Sequence, residues 1–597
     1  MEAVEGRSRV LKIVLSVCFP SIVLALILID RNSPAAGYEL SVYGSVPLLT
    51  WICLIAALAG GTGVIVHQAF RGHKSRYWGL GFLVLVFSVS IILLLPAFKG
   101  YYLYGSADTS AHAMWAEQIV SEGRFWQGDN YPITHILTAQ IAQLSGARPE
   151  GINQYIPALF TLLFMLFSYL LARSVMPKKG QALLAAATTA LFFNYYHVCV
   201  YPQALSIMLL PMVFYLYFEG FRTSSVPFTV VFVAVLLWFP YSHPATAAAL
   251  IVGFLSAEVA KLIWRLRTGT HPAVAHKSLD RITLGPTLIS SVTFLTWISA
   301  YEVFGTTIQR SFGWLRGQIS EVPHVEILEE TLHKQHMDIL QQVELALKMY
   351  GDNLIYLLLS GIALAIIVWG VGRRRQDINK LFTLSLPFLV SGPVWVLIFV
   401  TTLRVTVGRL LGANIMMWAT PVFATFALHE MFGRWKRAGV VAVTSILICA
   451  SVVGILAVYQ SPYTLQVSWQ VTRQDVEGSR WFQTHTELPA RGWFASLGVP
   501  VVSTGYGTEG RIVSPEHFGY HQSETLGSLL SSTYLVLGRR QILGSADATL
   551  SRFTTSAPRL FSTGYIPADY ERLQRDPTVH RLYSNGELDV FRITAER

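Results

Sequence analysis

A polar stretch at residues 105–132 holds two aspartates close in sequence to other groups that could do chemistry. Asp108 is followed four residues later by His112, and Asp129 opens an Asp-Asn-Tyr-Pro run that contains Tyr131. A carboxylate can accept a proton from the hydroxyl group of a substrate. Asp is also a favoured helix N-cap, and Asp-Asn-Tyr-Pro has the composition of a turn. Asp108 is therefore a candidate general base or a cap, and Asp129 is a candidate binding residue or a turn former.

Two arginines, Arg404 and Arg409, lie in a short segment between apolar runs. The planar guanidinium group can bind a phosphate through two parallel hydrogen bonds. Arginines at helix ends also extend into lipid headgroups while their stems stay in the apolar layer. The pair is thus a candidate phosphate clamp or a pair of ordinary interfacial residues.

Three further ionisable residues, His197, His243 and Glu302, fall near the ends of apolar runs. Ionisable groups at membrane depth usually line a cavity or a pathway. A single histidine can equally be a hydrogen-bonded structural residue. All three are candidate substrate-binding residues, with that structural alternative beside them.

A metal site is a separate question, because His324, His333 and His336 lie in one polar stretch. His333 and His336 share a helical face at a spacing of three. The surrounding Glu-Glu-Thr-Leu-His-Lys-Gln-His run is more typical of a solvated face. The sequence therefore assigns no metal ligands, although a divalent metal remains compatible with the chemistry discussed below.

The composition shows that the solvent of this chain is largely lipid. The 597 residues are 52% hydrophobic and only 13% charged, with a mean hydropathy of +0.46, whereas soluble domains carry roughly 25% charged residues. The four cysteines all fall in apolar segments, which argues against a disulfide framework or a zinc site. The net charge of +10 lies mostly in short loops, so we do not expect a nucleic-acid partner.

Thirteen runs are long and apolar enough to cross a membrane as helices. The first is followed directly by Asp30 and Arg31 without a cleavage pattern, so we interpret it as an uncleaved span and not a signal peptide. The predicted spans are residues 10–29, 47–67, 78–97, 154–172, 182–199, 204–221, 226–241, 245–263, 282–303, 352–371, 381–402, 410–430 and 439–460.

Basic residues divide these loops into two classes. With the N-terminus in the cytoplasm, the inner loops and span ends hold 22 Lys and Arg, and the outer loops before residue 461 hold 10. Cytoplasmic loops are enriched in Lys and Arg. The sequence therefore predicts a multi-pass protein of the cell membrane with its N-terminus inside and its C-terminus outside.

This topology predicts the labelling of two single-cysteine variants. Ser75→Cys lies in a predicted inner loop and Ser523→Cys in the predicted outer region. In a background without the native cysteines, a thiol reagent that cannot cross the membrane should label only position 523. Both positions should react after detergent permeabilisation. Labelling of intact cells at position 75 and not at 523 would reverse the orientation.

Two predicted outer loops are long, at residues 98–153 and 304–351. Loops of this length are uncommon unless they are functional. The first contains a helical pattern at 132–146 that ends at a glycine. The second carries apolar residues at helical spacing, which suit a mobile amphipathic lid over a lipid entrance.

The composition changes after residue 460. Residues 461–597 hold 13 Arg, no Lys and 13 acidic residues. Short runs rich in strand-forming residues alternate with turn signals such as Asn585-Gly586. We expect a small α/β domain on the outer surface.

An apolar span, an outer loop with an acidic residue and a downstream Tyr-Pro before a helix resemble the GT-C glycosyltransferases. Similar patterns continue in Tyr201-Pro202-Gln203 and in Ser242-His243-Pro244. This superfamily includes protein O-mannosyltransferases, lipid A aminoarabinose transferases and oligosaccharyltransferases. The run at 32–43 and the tail at 583–586 also resemble uncharacterised archaeal membrane proteins of this type.

The resemblance implies an all-α polytopic membrane domain of about thirteen helices and a small C-terminal extracytoplasmic α/β domain. It implies that Asp108 matches the essential aspartate of the first outer loop, and that Tyr201 and His243 contact substrate. That aspartate usually follows the first span of the family, whereas Asp108 follows the third. We therefore interpret residues 1–77 as an addition to a catalytic domain at 78–460. The Trp-Trp-Asp-Tyr-Gly signature of oligosaccharyltransferases is absent from 461–597.

The sequence thus predicts a glycosyltransferase that takes a sugar from a polyprenyl or dolichyl phosphate on the outer face, with inversion. The acceptor would be a hydroxyl of a glycan, a lipid or a protein. The charge on the departing phosphate would be stabilised by Arg404 and Arg409 or by a divalent metal. A transporter or flippase for lipid-linked glycans, and a polymerase or ligase of such glycans, are the alternatives. Transporters often show internal repeats, and none is seen.

Overall fold

A computed structural model describes most of the chain. The described residues are 2–71, 77–105, 107–223, 225–268, 282–302, 304–306, 309, 313, 316, 339–402, 417–486, 492–494, 511–513, 516–529, 533–550 and 566–595.

Helices make up most of the described chain and are numbered here in chain order. They are α1 (Glu2–Asp30), α2 (Val42–Ser45), α3 (Leu48–Arg71), α4 (Tyr77–Leu93), α5 (Leu95–Phe98), α6 (Ala107–Glu122), α7 (Ile133–Ser145), α8 (Pro149–Asn153), α9 (Ile156–Val175), α10 (Lys179–Ala190), α11 (Pro202–Met208), α12 (Leu210–Thr223), α13 (Val226–Trp238), α14 (Pro244–Thr268), α15 (Gly285–Ile298), α16 (Ile339–Gly372), α17 (Asn379–Thr402), α18 (Thr420–Phe432), α19 (Lys436–Val458), α20 (Arg473–His485), α21 (Arg539–Ala546) and α22 (Pro567–Arg575).

Seven helical stretches of the described chain are long and apolar enough to cross a membrane. They are Arg9–Asp30, Leu48–Arg71, Pro149–Val175, Pro202–Gly220, Pro244–Arg267, Ile339–Gly372 and Arg437–Val458. Shorter apolar helices lie at Tyr77–Leu93, Val226–Tyr241 and Gly285–Ile298. The prediction of a polytopic helical membrane protein is therefore confirmed, and the count of thirteen spans stays a prediction.

Two predicted boundaries differ from the structure. The run at 182–199 is helical only as α10, and its remaining residues form an irregular segment with a 3-10 turn at Tyr195–His197. Asn194 accepts the Tyr196 N–H there, and Phe193 and Cys199 are fully buried. Non-helical backbone is tolerated at membrane depth where protein surrounds it. The predicted span at 352–371 also lies within a longer helix, because α16 already begins at Ile339.

Small residues let several of the membrane helices approach closely. A Cβ placed on Gly61 of α3 would lie 3.0 Å from the carbonyl oxygen of Gly81 in α4, and one on Gly180 of α10 would lie 2.2 Å from that of Ala69. The hydrophobic effect does not drive helices together in lipid. Glycines at such contacts instead allow close van der Waals packing, which stabilises the helix pairs.

Contacts between distant segments divide the molecule into two ends. At one end, strand β1 (Leu103–Tyr104) pairs antiparallel with β2 (Gln470–Val471), and Lys99 pairs with Glu39 at 3.0 Å. We call this the β1 end. At the other, Glu430 pairs with Lys178 and with Arg375. The segments at the β1 end are those predicted to lie outside, and those at the other end are predicted to lie inside. The orientation of these ends in the membrane stays a prediction.

A small mixed sheet lies in the C-terminal region. Its strands are β3 (Gly492–Phe494), β4 (Arg511–Val513), β5 (Thr533–Gly538), β6 (Val579–Ser584) and β7 (Leu588–Ile593). They are ordered β4-β3-β5-β7-β6, with β3 parallel to β4 and β5 and the other pairs antiparallel. The predicted Asn585-Gly586 turn joins β6 to β7, and Gly586 has a φ of +87°.

Candidate active site

Helix α6 presents Asp108 at its first turn. The helix begins at Ala107 and ends before Gly123, whose φ of +70° favours glycine. Asp108 therefore lies within the helix, so the interpretation of this residue as an N-cap is wrong. Its side chain is exposed.

His112 lies one helical turn after Asp108. Residues four apart share a helix face, so both side chains project to the same side of α6. The His112 ring is 6% exposed and contacts the rings of Trp115, at 5.3 Å between centroids, and Tyr131, at 6.1 Å.

A chain of buried hydrogen bonds runs from α7 to His112. The carboxylate of Asp129 accepts a hydrogen bond from Nδ1 of His135 at 2.5 Å, and Nε2 of His135 lies 2.9 Å from Nδ1 of His112. The other oxygen of Asp129 accepts the Tyr131 N–H at 3.1 Å. Asp129 is thus both a turn former, as one interpretation of the sequence had it, and a partner of His135.

Tyr131 lies at the centre of these groups. Its ring is 5.3 Å from that of His243. Burial, followed by the charges of Asp129 and Asp108, raises the pKa of Tyr131 to about 12. Tyr131 therefore stays a neutral phenol at physiological pH.

Burial also lowers the pKa of His112 well below its usual range, and the neighbouring His135 and His243 lower it further. His112 is accordingly a neutral imidazole at pH 7. A neutral imidazole between a carboxylate-bound histidine and an exposed aspartate can accept or donate a hydrogen bond, depending on its tautomer.

The loop that carries Asp129 is held from the side of α15. The Tyr301 hydroxyl donates to the Asp129 carbonyl oxygen at 3.1 Å, and the Trp297 indole donates to that of Asn130 at 2.9 Å. These bonds fix the backbone around Tyr131, because both carbonyls lie in the short segment between α6 and α7.

The structure brings together five of the residues that the sequence singled out. Asp108, His112, Asp129, Tyr131 and His243 form one cluster, through ring contacts, hydrogen bonds and the face of α6 that Asp108 shares with His112. Their roles in binding or catalysis stay predictions.

The other predicted site residues lie elsewhere. His197 is fully buried against Phe192 and has no hydrogen-bond partner for its ring nitrogens within the described chain. Tyr201 contacts Tyr195 and Tyr196. Glu302 is exposed, next to Tyr301. Arg404 and Arg409 lie outside the described residues.

His135 is the member of the cluster that the sequence analysis missed. It occupies the third position of α7, within the segment at 132–146 that was identified by its apolar residues alone. The available signal was a histidine six residues after Asp129, in the first turn of a helix that carries no other ionisable residue. Since a buried histidine there needs a polar partner, the two could have been paired.

Metal ligation finds no support in the part of the chain that is described. No group of three or more His, Cys, Asp or Glu residues is positioned to hold an ion there. His324, His333 and His336 fall outside the described residues.

Comparisons with known proteins give structural similarity only. No protein-family model matches the chain, and no curated protein sequence matches it. An oligosaccharyltransferase from Archaeoglobus fulgidus, solved with zinc and sulfate, is similar over 85% of this chain and 73% of its own, with 12% identity and a TM-score of 0.45.

Two further solved glycosyltransferases are similar at the same level. ArnT from Cupriavidus metallidurans, solved with undecaprenyl phosphate, covers 86% of this chain and 98% of its own, with 11% identity and a TM-score of 0.42. The mycobacterial arabinofuranosyltransferase AftD covers 88% of this chain, which spans 42% of AftD, with 12% identity and a TM-score of 0.41. These neighbours are GT-C enzymes, the superfamily that the sequence resembles. The likeness is one of overall chain path and assigns no role to any residue of this chain.

Proposed function

We propose that this chain is a membrane glycosyltransferase that moves a sugar from a polyprenyl or dolichyl phosphate to an acceptor hydroxyl on the outer face of the membrane. The observation that carries the proposal is the exposed carboxylate of Asp108, which lies on α6 one helical turn before the buried His112 of the cluster around Tyr131. This cluster belongs to the β1 end, because α6 follows β1 directly and β1 pairs with β2.

Asp108 is the general base of the proposed reaction. Its carboxylate takes the proton of the acceptor hydroxyl, and the oxygen forms a bond to the anomeric carbon of the donor. The bond from that carbon to the phosphate oxygen breaks, and its electron pair stays with the phosphate. Attack opposite the leaving group inverts the configuration of the sugar.

The departing lipid phosphate gains negative charge, which needs a cation beside it. Arg404 and Arg409 are the proposed partners, and a divalent metal is the alternative. Both arginines precede α18 in the chain. This part of the proposal rests on residue type and position in the sequence.

Helix α16 provides a surface that suits a lipid donor. It has 34 residues, or roughly 51 Å at 1.5 Å per residue, against a bilayer core of about 30 Å. Its first turns expose apolar side chains, including Ile339 at 78% and Leu340 at 80%. Lys348 lies 5.1 Å from the Tyr463 ring centroid, so these turns belong to the β1 end. We expect them to contact the polyprenyl chain.

A transfer assay tests the proposal directly. Purified protein in lipid would be incubated with a panel of radiolabelled polyprenyl-phosphate sugars, and with glycan, lipid and peptide acceptors in turn. We expect transfer from at least one lipid-phosphate donor, with none from the corresponding nucleotide sugar. Movement of the intact lipid-linked sugar across the bilayer without bond cleavage would instead support the flippase alternative.

A further inference from the structure

The hydrogen-bond chain from Asp129 ends at an unpaired nitrogen. His135 joins Asp129 to Nδ1 of His112, whereas Nε2 of His112 makes no hydrogen bond to another residue in the described part of the chain. The His112 side chain is nevertheless more than nine-tenths buried. This nitrogen is not among the fully enclosed polar atoms of the described chain, so it is open to a ligand group.

The proton positions along this hydrogen-bond chain follow from the carboxylate of Asp129. Both oxygens of Asp129 accept hydrogen bonds, one from Tyr131 N–H and one from His135, as an ionised carboxylate requires. Nδ1 of His135 therefore carries a hydrogen. If His135 carries only this hydrogen, its Nε2 is an acceptor and Nδ1 of His112 is the donor. A doubly protonated His135 would instead donate from Nε2, and the NMR measurement below distinguishes the two arrangements. A neutral His112 that is protonated at Nδ1 has a free lone pair at Nε2.

The residues around His112 are of the kinds that bind sugars. His112 shares its helix face with Asp108, and its ring contacts that of Tyr131. Hydroxyl groups are the donors that every sugar carries. We propose that Asp129 and His135 are positioning residues that hold His112 in the Nδ1-protonated tautomer, so that Nε2 accepts a hydrogen bond from a sugar hydroxyl beside Asp108. This inference rests on the proposed function for the identity of the ligand, but not for the tautomer.

One substitution should exchange the donors and acceptors along the whole hydrogen-bond chain. In Asp129→Asn, the side-chain oxygen is expected to keep the hydrogen bond from Tyr131 N–H, which leaves the NH₂ group facing His135. That NH₂ donates to Nδ1 of His135, so His135 carries its hydrogen on Nε2 and donates to Nδ1 of His112. The hydrogen of His112 then moves to Nε2, which becomes a donor and can no longer accept from a hydroxyl.

Nitrogen-15 NMR of histidine-labelled protein in lipid measures this without any substrate. Protonated and unprotonated ring nitrogens resonate far apart, and a His112→Gln variant identifies the His112 signals. At pH 7.5 we expect an unprotonated Nε2 in the wild type and a protonated Nε2 in Asp129→Asn. Asp108→Asn is the matched control, because it removes a carboxylate outside the hydrogen-bond chain and should leave the tautomer unchanged. A protonated Nε2 in the wild type, or one tautomer in wild type and Asp129→Asn alike, would overturn the inference.

Transfer kinetics separate positioning from chemistry. With a polyprenyl-phosphate sugar that the wild type uses, Asp129→Asn should raise KM about 2- to 10-fold, the range of one hydrogen bond of roughly 0.5–1.5 kcal/mol, and change kcat less. Asp108→Asn should lower kcat instead. If no donor is used, the proposed function fails while the NMR result still decides the tautomer. Equal KM values for wild type and Asp129→Asn would contradict a role of Nε2 in binding.

Discussion

Asp108→Asn is expected to lower the rate of sugar transfer by about 10²–10⁴-fold, the usual contribution of a positioned general base. The amide keeps the size of the side chain but cannot take a proton from the acceptor hydroxyl. Because Asp108 is exposed and lies inside α6, the protein should still fold. The loss of charge near the helix N-terminus costs only about 0.3–1 kcal/mol.

The measurement compares initial transfer rates at matched protein levels in membranes, with a donor chosen from the panel described above. Glu122→Gln is the matched control, since it neutralises an exposed carboxylate in the last turn of the same helix. Its rate should equal that of the wild type. Near-normal transfer by Asp108→Asn would remove Asp108 as the base, although another residue of the cluster could then be tested for that role.

Lys261→Met is expected to destabilise the membrane domain by about 3–5 kcal/mol, the cost of breaking a buried ion pair by removing one partner. Lys261 and Glu258 of α14 are each 4% exposed, and Nζ donates to Oε1 at 2.8 Å. The same carboxylate accepts the Tyr217 hydroxyl at 2.6 Å and the Thr283 N–H at 3.0 Å. Without the ammonium group, Glu258 keeps these two donors but has lost its paired cation.

Thermal unfolding of the purified protein in detergent measures this effect as a lower midpoint for Lys261→Met. Arg267→Met, at an exposed position of the same helix, is the control and should leave the midpoint unchanged. Adding Glu258→Gln to Lys261→Met removes the unpaired charge and should recover most of the loss. If the double variant is as unstable as the single one, packing of the lysine stem and not the ion pair accounts for the effect.

The membrane helices could be predicted from the sequence because the signal is local. A long apolar run in lipid can satisfy its backbone only as a helix, whatever the rest of the chain does. The signals for the ends of α6 and α7 are equally local, because Gly123 and Gly146 adopt a positive φ and end the two helices. The β6–β7 hairpin followed from Asn585-Gly586 for the same reason.

Breaks inside apolar runs were not predictable in this way. The irregular segment after α10 is as apolar as a helix, and it is stable only because other parts of the protein bury it. Lys261 is a second example. From the sequence it counts among the basic residues of the inner loops and span ends, whereas in the structure it is a buried partner of Glu258. Hydropathy alone does not identify the residue with which a charged side chain pairs.

For the candidate site, too, some features could be predicted from the sequence and others depend on the tertiary structure. Residue type and position in the sequence identified Asp108, His112, Asp129, Tyr131 and His243 as groups able to do chemistry, because carboxylates, imidazoles and phenols are the side chains that move protons or bind sugars. Only the tertiary structure placed them in one cluster and added His135, since the 2.5 Å and 2.9 Å contacts of that ring join α7 to α6 across the intervening loop. Hydrogen bonds act over about 3 Å, whereas the sequence spacing between partners says nothing about such distances until the helices have packed.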